Sequence, residues 1–430
     1  MRDPIFFRRR DTLSPVEASY WKDLFYRVSK IGTELEFAPP KNMPRPEFEE
    51  LVRQDLSPSG TLERLGANGV LDVQPEHCGI EIRVIGRHPH FRALQEQYGK
   101  IIAALMARGA RVRPTCGLHF HLLTPGLAEP VPEIILANLW NMTRRYAPEL
   151  KFMTSGGEKR EALCRRRGHN SHLEMVRYSS GVVTMERIRK HLKDSHMVPE
   201  HHNFLNLEHL GFTETGNVLP FHLEFRFPDA DLSATSITAK TFLFLALLLK
   251  SVDLSCYGVI HVGRIDYWRR KCLLLDILSN NDGNLATSDT SALTDDMIEE
   301  LRQGAHELLE LLTPTFERFL GNEPLEVLRS LAEHPVSLLR SAGYDWDGIE
   351  NILAARVTVD EAGTDEIDRL LMQHIELGQW IELPSPEIWQ WRAARELMVT
   401  PQDLERRLGR LDELRGLRWD FHKGTMVFTS

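Results

Sequence analysis

The chain has 430 residues, 42% of them hydrophobic, enough for a sizeable core and long enough for two domains. Its formal net charge of −9 argues against a general nucleic-acid-binding protein, because such domains are basic. Five cysteines, Cys78, Cys116, Cys164, Cys256 and Cys272, show no paired spacing, which argues against a disulfide framework or a zinc knuckle and fits a reducing, cytoplasmic compartment.

The N-terminus, Met-Arg-Asp-Pro, lacks the apolar run of a signal peptide, and Arg8-Arg9-Arg10 reads as a solvated arm. An amphipathic stretch at 20–26 leads to a first strand over 28–38, which Pro39-Pro40 ends. A short helix is expected over 44–56, then strands over 70–73 and 79–85 joined by a turn near 75–77. The apolar spacing of Leu94, Tyr98, Ile101, Ile102 and Leu105 predicts a helix over 89–108, with Gly109 placed to stop it. A strand carrying two histidines follows over 111–123, then a helix over 132–146. Residues 154–177 are polar and basic and read as a long loop, and 184–193 as a helix. Strands are expected over 203–209 and 219–227. Beyond Asp229 the pattern turns helical, beginning with a long helix over 233–254. Its apolar core, 242–249, is about half the length a bilayer crossing needs, so it reads as a buried helix and no membrane association is expected. Turns are expected at Gly321, Gly343 and Gly363, and a small hairpin over 417–429 around Lys423-Gly424.

Four of these strands share one pattern. Glu34 and Glu36 alternate with Leu35 and Phe37; Glu81 and Arg83 with Ile80, Ile82 and Val84; His119 and His121 with Leu118, Phe120 and Leu122; Glu224 and Arg226 with Leu223, Phe225 and Phe227. Successive strand side chains point to opposite faces, so each pair projects from one face, roughly 6.5 Å apart at about 3.3 Å per residue. A sheet built from them is apolar on one side and lined with Glu, His and Arg on the other. The fold class is therefore α+β. Such a face suits hard divalent cations, which take oxygen ligands and retain substrate phosphates. Arginine supplies a planar fork for phosphate oxygens. Without a cation, clustered glutamates repel one another. For a single pair, a solvated antiparallel strand explains the residues as well; four pairs with a shared apolar counter-face weaken that explanation. Cys116, beside the histidine strand, reads as a small buried residue rather than a nucleophile.

In this order, Gly-Thr-Glu-Leu-Glu-Phe (32–37), Gly-Ile-Glu-Ile-Arg (79–83), Cys-Gly-Leu-His-Phe-His-Leu (116–122), Asn206-Leu and Leu-Glu-Phe-Arg-Phe (223–227) resemble the amidoligase family of carboxylate–amine ligases. The resemblance covers roughly 28–260 and implies a curved, glutamine-synthetase-like antiparallel sheet with flanking helices. It implies ATP and two or three Mg2+ ions (Mn2+ as a substitute) and formation of an amide or isopeptide bond through an acyl phosphate on a small molecule, peptide or protein. It gives Glu34, His119 and Glu224 to one metal, and Glu36 and Glu81 to the metal nearer the acid and amine. It places His121 on an ATP phosphate, Arg226 on the transferring phosphoryl group, and Asn206 and Arg165 in substrate or phosphate binding. The second strand departs from the family pattern at Arg83, which leaves Asp72 or Glu76 as alternatives to Glu81. A domain over 1–260 would hold the catalytic site. A mostly helical region over 261–430, outside the resemblance, would select substrate or partner.

Two other readings compete. His-x-His on a strand also suits a zinc-dependent hydrolase, although that motif normally ends the first strand of a parallel barrel, and here two strands and a long helix precede it. A non-catalytic nucleotide-binding module would tolerate loss of Glu34 or Glu224, and both are present.

Overall fold

A computed structural model describes residues 6–7, 12–28, 30–56, 70–86, 91–113, 116–124, 131–156, 205–206, 221–260, 293–357, 366–378, 380, 383–397 and 399–429. The expected helix over 184–193, most of the basic loop over 154–177, Gly363 and Arg165 lie outside the described residues. In chain order the elements are β1 (Phe6–Phe7), α1 (Pro15–Asp23), β2 (Lys30–Phe37), α2 (Arg45–Leu56), β3 (Val70–Glu76), β4 (Gly79–Gly86), α3 (Phe91–Ala107), β5 (Leu118–Thr124), α4 (Glu133–Arg145) and α5 (Ala147–Met153). They continue with β6 (Leu205–Asn206), β7 (Phe221–Phe225), α6 (Ala234–Leu254), β8 (Val259–Ile260), α7 (Asp295–Thr315), α8 (Asn322–Glu333), α9 (Val336–Ser341) and α10 (Trp346–Ala354). Last come α11 (Glu366–Glu376), α12 (Pro386–Glu396), α13 (Pro401–Arg415), β9 (Leu417–Asp420) and β10 (Thr425–Phe428). The fold is α+β. No helix among the described residues is long and apolar enough to cross a membrane.

The main sheet is antiparallel, with strand order β3-β4-β2-β5-β7-β6. Strands distant in the chain lie side by side, so β2 sits between β4 and β5. Leu35, Phe37, Ile80, Ile82, Leu118, Phe120, Leu122, Leu223 and Phe225 are all buried on one face. Helices α3 and α6 cover that face. The Thr33 hydroxyl lies 2.5 Å from the Tyr98 hydroxyl of α3, and the Phe225 ring lies 4.5 Å from Phe244 of α6. Ser233 caps α6 by accepting the Ser236 amide at 3.1 Å. All but two residues of α6 are buried, as expected of so apolar a helix.

Several boundaries differ from the sequence expectation. β3 runs through Pro75 to Glu76 instead of turning there; it is the edge strand, where a missing amide proton costs no ladder bond. The histidine strand begins at Leu118, not near 111: the Cys116 amide donates to the Arg113 carbonyl ahead of it, and Arg111 forms an isolated bridge with Ala38. Helix α3 stops at Ala107, and Gly109 follows in the left-handed region (φ +71°). The short helix α5 was not expected. Its Lys151 donates to Asp229 at 2.5 Å and to the Phe227 carbonyl at 2.9 Å, which ties α5 to the chain leaving β7.

The chain divides into two compact units, one of residues 1–89 and 94–357, the other of 90–93 and 358–430. In the first, α6 packs against α1, α4, α7, α8 and α10. Glu350 of α10 accepts hydrogen bonds from the Ser233 hydroxyl and from the amide and hydroxyl of Thr235, joining it to the start of α6. In the second, α11, α12 and α13 enclose Leu371, Trp389, Leu404 and Leu411, and the β9–β10 hairpin closes the cluster through Met426. The Trp389 indole donates to the Thr425 hydroxyl at 3.1 Å, and buried Asp368 pairs with Arg407 at 2.9 Å.

At the start of α6, Lys240 and Asp231 form a fully buried ion pair at 2.6 Å, with Asp231 also accepting from Ser233 N and Ser236 Oγ. Removing one partner strands a charge in the core, whereas removing both charges does not. Lys240→Met is expected to cost about 3–5 kcal/mol in urea denaturation, and Asp231→Asn/Lys240→Met distinctly less. A single change costing under about 1 kcal/mol would contradict the burial of this pair.

Candidate active site

The polar face of the sheet is assembled by register. Antiparallel pairing sets Glu34 between Arg83 on β4 and His119 on β5, Glu36 opposite Glu81, Gly32 opposite His121, and His121 opposite Glu224 on β7. Asn206 occupies the register position opposite Glu224 on β6. Directly opposed residues share a face, so the alternation in four separate strands converges on one patch. Arg226 follows β7 on the same alternation, and its guanidinium hydrogen-bonds Glu224.

His119 is the hub. Its Nδ1 lies 3.0 Å from Glu34 Oε2 and 3.6 Å from Glu224 Oε1, and its Nε2 lies 3.7 Å from Glu36 Oε1. Two sets of donor atoms result, Glu34–His119–Glu224 and Glu36–Glu81–His119, each with its ligand atoms within 4.8 Å of one another. Glu36, Glu81, His119, His121 and Glu224 are all buried, and Glu34 is partly open to solvent. Each set offers one imidazole against two carboxylates, a combination suited to a hard cation. Among the described residues, Arg226 pairs with Glu224, and Arg83 donates to Glu81 at 2.8 Å and lies 3.6 Å from Glu34. A divalent cation would offset repulsion among the carboxylates. Burial pushes the Glu34 carboxyl up, but His119 and His121 beside it outweigh burial and hold it well below the usual carboxylate range.

Of the alternatives to Glu81, Asp72 stands opposite Arg83 in the β3–β4 register and lies 3.5 Å from Arg53 of α2, and Glu76 accepts the His77 amide. Cys116 is buried. Hydrogen bonding to Cys116, together with burial, pushes the neighbouring Cys78 thiol far above its ordinary value, so Cys78 stays a thiol.

Three supporting groups escaped the sequence reading. Gln74 of β3 donates to Glu81 at 2.8 Å, and the Gly117 amide donates to Glu36 Oε2 at 2.6 Å. His222 lies two residues before Glu224 on the same strand face, with its Nε2 2.8 Å from His121 Nδ1. The alternation that found Glu224 and Arg226 extends back to His222 and could have found it.

No family model and no curated protein matches the chain. Among solved structures, it is similar to the complex between the prokaryotic ubiquitin-like protein Pup and its ligase PafA. The two share 12% identity over 93% of this chain and 85% of that one, with a TM-score of 0.36.

Gly32 leaves the space that His121 uses: a Cβ there would sit 3.2 Å from the His121 Cβ. Gly32→Val is expected to push His121 off its position and to cost about 1–3 kcal/mol in urea denaturation, the usual cost of overpacking. Unchanged stability would mean that the β2–β5 contact is looser than described.

Proposed function

We propose that the chain is an ATP- and magnesium-dependent carboxylate–amine ligase. The observation that carries this reading is the convergence of four carboxylates and one histidine from separate strands into two oxygen-rich donor sets that share His119, with His121 and Arg226 beside them. In this reading Glu34, His119 and Glu224 hold one Mg2+, and Glu36 and Glu81 hold the other. His121, Asn206 and Arg165 bind the nucleotide or its phosphates. The catalytic set lies within 1–260, and the helical region over 261–430 selects the acid or amine, which is a small molecule, a peptide or a protein.

The reaction joins a carboxylate to an amine in two steps. The acid oxygen attacks the γ-phosphorus of ATP, giving an acyl phosphate and ADP; the amine then attacks the acyl carbon, expels phosphate and loses a proton as the amide forms. Magnesium, when bound, neutralises the phosphate oxygens and polarises the phosphoryl group. Arg226 stands beside Glu224, and its planar fork can bridge two equatorial oxygens of that group as charge develops on them. Glu36 and Glu81 would hold the second cation, which would neutralise charge on the acid. Burial of Glu36, Glu81, His119 and Glu224 limits the access of water, which would hydrolyse an acyl phosphate. No protein nucleophile is required. A zinc hydrolase of the parallel-barrel kind is disfavoured by the antiparallel sheet and by donor sets with one imidazole each.

MgATP is expected to raise the melting temperature by mass action, and magnesium alone to do so weakly. Glu224→Gln should lose activity that higher magnesium partly restores, because the defect is metal affinity. Arg226→Lys should bind ATP nearly normally and turn over roughly 100-fold more slowly, as for a lost transition-state donor. Thermal melts read the first, and ADP release from a panel of carboxylates and amines reads the two variants. If the pair were only structural, each change would leave turnover intact, and wild-type turnover in both variants would overturn the assignment.

A further inference from the structure

The two carboxylate oxygens of Glu81 are held differently. Oε1 accepts from two groups, Gln74 Nε2 and Arg83 Nε, each at 2.8 Å. Oε2 makes no hydrogen bond among the described residues. Gln74 comes from the edge strand β3, directly opposite Glu81 in the register, and Arg83 lies two residues along β4 on the same face. One bond therefore runs across the strands and the other along them. The terminal torsion of a glutamate is broad, so a carboxylate held at one point can swing. Donors from two directions hold it.

Lone-pair capacity sets the consequence. Each carboxylate oxygen has about two lone-pair sites, and two donors occupy both sites on Oε1. A guanidinium only donates, so Oε1 is an acceptor whatever Oε2 carries. What remains for a further ligand is Oε2. Glu36, in the same donor set, repeats the arrangement: its Oε2 accepts the Gly117 amide at 2.6 Å, while Oε1 lies 3.7 Å from His119 Nε2.

We propose that Gln74 and Arg83 are positioning residues that occupy Oε1, make Glu81 a one-oxygen ligand, and so tune the Glu36–Glu81–His119 set to Mg2+ and against Ca2+. This rests on the reading that the set holds a divalent cation. Ca2+ accepts bidentate carboxylates in a large, flexible shell, whereas Mg2+ demands a small octahedral one. A Glu81 free to offer both oxygens would favour Ca2+; a Glu81 restricted to Oε2 removes that option. Arg83 is also where the second strand departs from the amidoligase pattern. Here the departing residue secures the glutamate as a ligand instead of displacing it.

The test reads metal binding by the full chain, without turnover. Bound Mn2+ is measured by electron paramagnetic resonance, and Mg2+ and Ca2+ compete against it. The site lost in Glu81→Gln is the second one. In the wild type, Mg2+ should displace Mn2+ from that site more readily than Ca2+ does. Gln74→Met keeps the length but removes the donor, and should weaken Mn2+ there roughly tenfold, the scale of a lost ligand-orienting partner. Gln74→Met/Arg83→Met frees Oε1 altogether and should shift the preference toward Ca2+. A merely structural role would weaken all three cations alike. Infrared difference spectra give a second reading: the Glu81 carboxylate bands, identified by their loss in Glu81→Gln, should show one-oxygen coordination in the wild type and two-oxygen coordination of Ca2+ in the double variant. An unchanged cation preference in a folded double variant would overturn the proposal, as would two-oxygen coordination in the wild type. A wild type that binds no Mn2+ would overturn it together with the ligase reading, whereas one that binds Mn2+ but releases no ADP would defeat the ligase reading alone.

Discussion

The site depends on strand register. Every functional side chain on the sheet sits at a position fixed by period-two alternation and by antiparallel pairing with its neighbours. A slip of one residue in β5 would send His119 and His121 into the core and bring Leu118 and Phe120 to the polar face. The apolar half of the pattern is what forbids that slip. Leu118, Phe120 and Leu122 are buried, so the core enforces the geometry of the polar face. Packing on one side of the sheet and chemistry on the other are thus set by one constraint.

Burial makes the polar face costly as well as precise in its chemistry. Carboxylates removed from water need partners. Here they are distributed: Glu34 to His119 and Arg83, Glu36 to the Gly117 amide, Glu81 to Gln74 and Arg83, and Glu224 to Arg226. Each of these partners also orients its carboxylate, which matters for a cation that tolerates little angular error. Because His119 belongs to both donor sets, the two sets are coupled, and loss of its imidazole would be felt at both.

Much of this was legible in the sequence. The four alternating pairs, the buried long helix and the terminal hairpin could be read because each is written in local periodicity and turn chemistry. What escaped depends on distant parts of the chain. Pro75 remains in a strand because β3 is an edge, and edge position is a property of the whole sheet. Helix α5 lies directly behind α4 with Pro148 near its first position, where proline is favoured, but its reason to form is the tertiary tie from Lys151 to Asp229. That α7, α8 and α10 pack on α6 is equally invisible to periodicity, which marks an apolar face without naming what covers it. His222 is within reach of the alternation along β7, but its contact with His121 depends on the register between β5 and β7.

The most direct measurement is anomalous diffraction from crystals grown with Mn2+ and a non-hydrolysable ATP analogue. Two ion peaks are predicted, one bounded by Glu34, His119 and Glu224 and the other by Glu36 and Glu81, with nucleotide phosphate reaching the first. A single tetrahedral ion held mainly by the histidines, or no ion on this face of the sheet, would contradict the account.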